Sequence, residues 1–165
     1  MIEKIEGLEK CIQLDTIHLK RNRIGRCKEG SIEACKGLLA RPSLHCVDLQ
    51  DNYIEEQEII DEIFVKMPNL KVLYLMNNPF VKKMSGYRKT VIAKIPTLTY
   101  LDDRPVFDDD RRRAEAWFRG GIEEERLEIK IIKKEKDDKH WANHEAFRIM
   151  VNKAKDEKKS EDLQN

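Results

Sequence analysis

Two histidines four residues apart, His140 and His144, stand out first as residues that could do chemistry. On a helix that spacing puts both imidazoles on one face, the arrangement zinc hydrolases use with an adjacent glutamate as general base. Glu145 follows His144 directly, so on a helix it points elsewhere. No cysteine or acid at a suitable position completes the set, and two ligands are too few to hold zinc. A second cluster, Asp102, Asp103 and Asp108 to Asp110, carries the oxygen donors that magnesium favours. Turn and helix-capping roles account for these aspartates more simply. The pair Gly120-Gly121 lacks the lysine and the preceding strand of a phosphate-binding loop. The four cysteines, Cys11, Cys27, Cys35 and Cys46, show no CxxC and no histidine at zinc spacing, and read as reduced thiols of a cytosolic protein. No Ser–His–Asp or Cys–His arrangement emerges. The expectation is a non-enzymatic protein with no catalytic residue, no metal and no cofactor.

What remains is a surface, and a surface needs a scaffold. The chain has 165 residues, room for one domain. With 40% hydrophobic and 38% charged residues, a core is possible under a densely charged exterior. The 32 Lys/Arg and 31 Asp/Glu nearly cancel, leaving +1, so the basic footprint of a nucleic-acid binder is missing. No apolar run approaches the ~18 residues of a membrane span. The start, "MIEKIEGLEK", lacks a signal peptide's apolar centre.

Three stretches align on one template: "LDTIHLKRNRI" (14–24), "LHCVDLQDNYI" (44–54) and "LKVLYLMNNPF" (70–80). Each reads L-x-x-(L/I/V)-x-L-x-x-N-x-(I/F), the leucine-rich-repeat signature. Within it the last two apolar residues alternate and face one side of a short parallel strand. Ile17 and Leu19, Val47 and Leu49, Leu73 and Leu75 therefore point inward. The amides of Asn22, Asn52 and Asn78 have donors and acceptors enough to satisfy backbone groups where the chain leaves each strand. Each unit buries its apolar face by stacking on its neighbours. The predicted fold is an α/β leucine-rich-repeat solenoid, with short parallel β-strands on the concave side, helices on the convex side and a C-terminal helical cap.

The return paths have helical patterns. "SIEACKGLLA" (31–40) offers Ser31 as N-cap; "EEQEIIDEIFVKM" (55–67) and "GYRKTVIAKI" (86–95) follow, with Pro42, Pro68 and Pro96 just past them. True helices, rather than tight turns, are expected. The opening "IEKIEGLEKCIQL" has two readings: a short capping helix, or the second half of another repeat whose strand lies upstream. The second fits better, because the apolar spacing runs straight into the first full match.

A stack of repeats has ends that would expose its core. "LTYLDDRPVF" supplies a last strand-like layer with Leu98 and Leu101, stopped by Pro105, with Asp103 and Arg104 in the turn. "DDDRRRAEAWF" then reads as a helix in which Ala114, Trp117 and Phe118 cover the open edge, ended by Gly120 and Gly121. These features give a solenoid with terminal cap strand over 1–107, capping and amphipathic helices over 108–155, and a disordered tail over 156–165. In "HWANHEAFRIMVNKA", Phe147, Met150, Val151 and Ala154 share a face. That helix either packs back on the domain or docks as an arm on a partner.

Strand residues between the inward leucines face out, in three columns. They are Thr16, Cys46, Val72 and Tyr100; His18, Asp48, Tyr74 and Asp102; and Lys20, Gln50 and Met76, with Arg21 and Asp51 beside them. Aromatics, Met and Arg on a rigid sheet are what protein-binding surfaces favour. The candidate partner-binding residues are His18, Lys20, Arg21, Asp48, Gln50, Tyr74, Met76 and Tyr100.

"NPFVKKMSGYRKTVIAKIPTLTYLDDRPV" resembles the terminal cap of several intracellular leucine-rich-repeat proteins, among them a protein phosphatase regulator and the spliceosomal U2 adaptor. "YLDDRPVF" followed by "R-x-x-AEAWFRGG" is narrower, and resembles the leucine-rich-repeat member of the dynein axonemal assembly factors. That resemblance implies a cytoplasmic scaffold, with the cilium or flagellum as a second location, acting in preassembly of axonemal dynein arms. It implies protein partners: dynein arm subunits, other assembly factors or chaperones. Members of that family have more repeats upstream, so the chain reads as a shortened form or a fragment. An adaptor of another assembly, a phosphatase regulator or a nuclear ribonucleoprotein adaptor, is the alternative.

Overall fold

Apolar residues that alternate over only three or four positions make short strands, and short strands are what the structure contains. The structure, a computed structural model, describes residues 1–155 in full and the backbone of 156–162. The disordered tail expected over 156–165 lies outside the fully described residues. Five strands form one sheet in chain order: β1 (Thr16–His18), β2 (Cys46–Asp48), β3 (Val72–Tyr74), β4 (Tyr100–Leu101) and β5 (Arg104–Pro105). The first four pair in parallel, and β5 turns back antiparallel on β4. Thr16, Cys46, Val72 and Tyr100 are aligned across the sheet, as are Ile17, Val47, Leu73 and Leu101. The second row is the wall of the core: Val47, Leu73 and Leu101 are fully buried, together with Leu44, Leu70, Phe64 and Phe80.

The asparagines join one coil to the next. Asn52 accepts from the Ile24 amide through Oδ1 (3.1 Å) and donates through Nδ2 to the carbonyls of Leu19 (2.9 Å) and Leu49 (3.0 Å). Asn78 repeats this one coil further, with Ile54, Leu49 and Leu75. Asn22 accepts from the Ile2 amide (3.0 Å). Ile2 thus occupies the ladder position that Ile24 and Ile54 hold in later coils, and Ile5 is buried with its amide on the Ala34 carbonyl. The opening segment therefore lies in the fold as the post-strand half of a repeat, with only a 3₁₀ turn at Leu8–Lys10.

The convex side departs from expectation. The helices are short: α1 (Gly30–Cys35), α2 (Ile59–Glu62), α3 (Pro79–Lys83) and α4 (Tyr87–Lys94), with 3₁₀ turns Lys36–Ala40 and Phe64–Lys66 extending two of them. Ser31 is not the N-cap of α1. It lies inside the helix, its hydroxyl accepts from the Glu55 amide (3.0 Å), and the Glu56 carboxylate of the next coil caps the Ser31 and Ile32 amides. The 55–67 segment breaks at Ile63, where φ is −121°, so Phe64 and Met67 reach the core from a tighter turn.

One helical stretch, Asp108–Asp162, is interrupted at Gly120 and at Gly121 (φ 69°, ψ −152°), which divide it into α5 (108–119) and α6 (122–162). The glycines end the first helix, as expected, and then reverse the chain. Helix α6 folds back antiparallel on α5. Arg112 pairs with Glu128 (2.7 Å) and with Glu135, and Asp109 pairs with Lys136. Ile132 is buried in this hairpin, while Leu127, Ile129 and Ile131 stay exposed. Past Asp137, α6 has outrun α5. Residues 138–155 extend about 27 Å at 1.5 Å per residue. Trp141 (67% exposed), Phe147 (61%) and Met150 lie open there. Packing back on the cap thus holds for the first half of α6, while Trp141, Phe147 and Met150 in its second half stay exposed.

Candidate binding surfaces

The rigid sheet positions two of the three expected columns. Register puts His18, Asp48 and Tyr74 side by side, beside the row of Thr16, Cys46, Val72 and Tyr100. Tyr74 and Tyr100 stack tilted, with ring centroids 5.8 Å apart, a favourable aromatic geometry. Burial pushes the Tyr74 hydroxyl above the usual tyrosine range. His18 Nδ1 sits 3.6 Å from Asp48, whose other oxygen accepts from the Gln50 amide. Lys20 and Arg21 flank Asp51 at 4.0 and 3.6 Å, and Asp51 also accepts from Asn77 (2.7 Å). The face is therefore graded. It is charged and hydrogen-bonded on β1 and β2, and apolar and aromatic on β3 and β4, where Val72, Tyr74, Met76 and Tyr100 are half-buried.

Two expected members are absent from this surface. Gln50 is only 7% exposed, because the chain is already turning inward before the left-handed Asp51 (φ 56°). Asp102 is also buried: the last strand ends one residue early, at a left-handed turn (φ 57°), and its carboxylate accepts from the Leu75 (2.8 Å) and Met76 amides. Burial raises the Asp102 carboxyl above its ordinary value, and the two amides oppose that rise.

At the cap, Asp103, Arg104 and Pro105 have exposed side chains. Pro105 does not stop the sheet; it lies in the edge strand β5, where it owes no ladder donor. Trp117 is half-buried and its ring lies over Gly86, whereas Phe118 is 54% exposed, its ring 5.8 Å from the Lys94 ammonium. Phe118 therefore does not cover the edge. Two arginines that motif reading passed over hold the cap. Arg88 donates to the carbonyls of Leu101 (3.0 Å) and Pro105 (2.8 Å). Arg111 donates to those of Ile92, Ile95 and Leu98, satisfying the end of α4. The "YR" pair and the Arg run after Asp110 were the available signals.

Among the described residues, no three His, Cys, Asp or Glu side chains gather as metal ligands, and no helix is long and apolar enough to cross a membrane. His140 and His144 flank Trp141 on the projecting helix, with ring centroids 6.3 and 6.0 Å away. All four thiols are free, and burial pushes Cys35 up to about 12.

Parallel single-turn strands, an asparagine ladder and helical returns define the class, and the family pattern described as Leucine-rich repeat matches residues 1–131: the chain belongs to the leucine-rich-repeat family. Within that family it is similar to "Leucine-rich repeat-containing protein ODA7" of Chlamydomonas reinhardtii, 44% identical over 66% of this chain and 25% of that protein. It is also similar to "Dynein axonemal assembly factor 1" of Homo sapiens, 40% identical over 72% of this chain and 16% of that protein. The Anopheles gambiae homolog of that factor is 50% identical over 56% of this chain and 10% of its own length. The chain thus spans a quarter or less of these curated relatives. Among solved structures, the "Crystal structure of Drosophila melanogaster SNF/U2A' complex" contains a chain with a TM-score of 0.58 and 29% identity, covering 80% of this chain and 68% of that one.

Proposed function

We propose that this chain is a non-enzymatic scaffold for axonemal dynein assembly, working in the cytoplasm and binding protein partners through its concave face. The observation that carries the reading is the graded face itself, on a chain 40–50% identical over the matched residues to proteins named dynein axonemal assembly factor 1 or its homolog. Fixed aromatics beside fixed charges bind protein surfaces well, because little side-chain freedom is lost on contact. His18, Lys20, Arg21 and Asp48 set register and charge preference, while Tyr74, Met76 and Tyr100 supply the anchor. Partners of this chemistry include dynein arm subunits, other assembly factors and chaperones.

The test is affinity purification from flagellated cells, comparing wild type with the Tyr74→Ala/Tyr100→Ala double variant by mass spectrometry. The variant should lose dynein-arm or assembly-factor proteins at least tenfold while its melting stays near wild type. Recovery of the same proteins at wild-type levels overturns the assignment to this face. Recovery of spliceosomal or phosphatase proteins in place of dynein factors overturns the assembly reading.

A further inference from the structure

The capping end holds a cavity of about 230 Å³, walled by α4, β5, α5 and the start of α6. Its polar lining is Arg88, Lys89, Arg104, Arg113, Asp110 and Glu125, four cations against two carboxylates. Both carboxylates are engaged. Glu125 pairs with Lys89 and lies 3.4 Å from Arg113 Nη2, and Asp110 accepts from the Phe107 amide at 3.4 Å. Arg88 is fixed by two carbonyls, which leave its charge unneutralised. Among the described residues, the Arg104 side chain meets only its chain neighbour Asp103, at 3.5 Å, and is 67% exposed. Arg113 Nε is buried and, among the described residues, has no acceptor.

A buried donor without an acceptor is costly, and a net excess of two positive charges around a pocket favours an anion. We propose that this cavity receives a phosphoryl group carried by a partner protein, a phosphoserine or phosphothreonine side chain gripped by Arg104 and Arg113. A phosphoryl group brings nearly two negative charges and three acceptor oxygens, which match the local excess better than a single carboxylate does. Guanidinium groups recognise such oxygens in pairs, and the Arg104 guanidinium, 67% exposed, has donors open to such a contact. The residues come from three segments of the cap. "YR" supplies Arg88, "DDRPV" supplies Arg104, and "DDDRRR" supplies Asp110 and Arg113. No concave-face residue takes part, so the site stands or falls apart from the scaffold reading.

The test titrates the full chain with three probes at constant ionic strength: inorganic phosphate, a glycine-flanked phosphoserine peptide and its unphosphorylated twin. Calorimetry reads affinity, and circular dichroism and melting report the fold. The phosphopeptide should bind at least tenfold tighter than its twin. Arg104→Gln and Arg113→Lys should each weaken it roughly tenfold, the effect of one lost charge-assisted bond. Arg104→Gln touches no hydrogen bond of the fold, and Arg113→Lys keeps the charge beside Glu125 while removing Nε. Equal affinity for inorganic phosphate and phosphopeptide overturns the protein-borne source. Equal binding of both peptides, or phosphopeptide binding unchanged in both variants, overturns the site.

Discussion

The Trp117 indole closes directly over Gly86: a Cβ built on that glycine would lie 2.6 Å from the ring's Cη2. Gly86 also sits at φ 68°, just before α4, where a side chain is disfavoured. The absence of a side chain on one residue thus creates the seat for the largest side chain of the cap. Helix α5 runs antiparallel to α4, with Arg111 at the α4 end and Trp117 at its beginning.

Gly86→Ala should therefore destabilise the domain by about 2–4 kcal/mol, combining left-handed strain with displacement of the ring. In a Trp141→Phe background, which isolates Trp117, emission should shift to the red and the melting temperature should fall. An unchanged emission spectrum and melting temperature would show that the ring does not seal this end.

Asn52→Ala should cost about 1–3 kcal/mol, because it leaves the buried Ile24 amide without its acceptor, while the Leu19 and Leu49 carbonyls keep the Asn22 and Asn78 amides. Asn22→Ala should cost far less, because its bonds lie at the partly exposed leading edge. Denaturant melts of the two variants compare them directly, and equal losses would contradict the ladder's inward gradient.

Asp102 makes stability depend on pH in the direction opposite to an ion-paired carboxylate. Its folded pKa is raised, first by burial, so the folded state holds the proton more tightly than the unfolded chain. Its ionisation therefore costs stability above the folded pKa, and the cost is relieved as pH falls through that value. The Tyr87 hydroxyl is buried beside it without a hydrogen bond of good geometry. Asp102→Asn keeps an oxygen for the Leu75 and Met76 amides and removes the charge. It should equal or exceed wild type in stability at pH 7, with the difference shrinking toward pH 4. Melts across that range check it; a variant that is weaker at pH 7 and gains on the wild type at acid pH would contradict the sign.

The strands were legible because their determinants are local. A two-residue alternation and one Asn fix the face and the register, and the aligned rows at Thr16 and Ile17 follow. The return paths were less so. Ser31 has an N-cap residue type, but the carboxylate that caps α1 comes from Glu56, 25 residues away. Gln50 fits the alternation of an exposed strand residue, yet the strand has already ended. Trp117 and Phe118 look equivalent in a helical pattern; only the docking angle of α5 on α4 separates the covered ring from the open one. Arg88 and Arg111 act on carbonyls that become neighbours only once the cap has folded.

Gly121 adopts a torsion pair that residues with side chains essentially never hold. Were it an ordinary helical position, the 55 residues of that stretch would form one straight rod about 80 Å long. The reversal instead sends the rod back along α5 and out past Asp109. Anything tethered through the projecting helix would hang on that side, so two residues with no side chains at all choose the direction of pull on the whole domain.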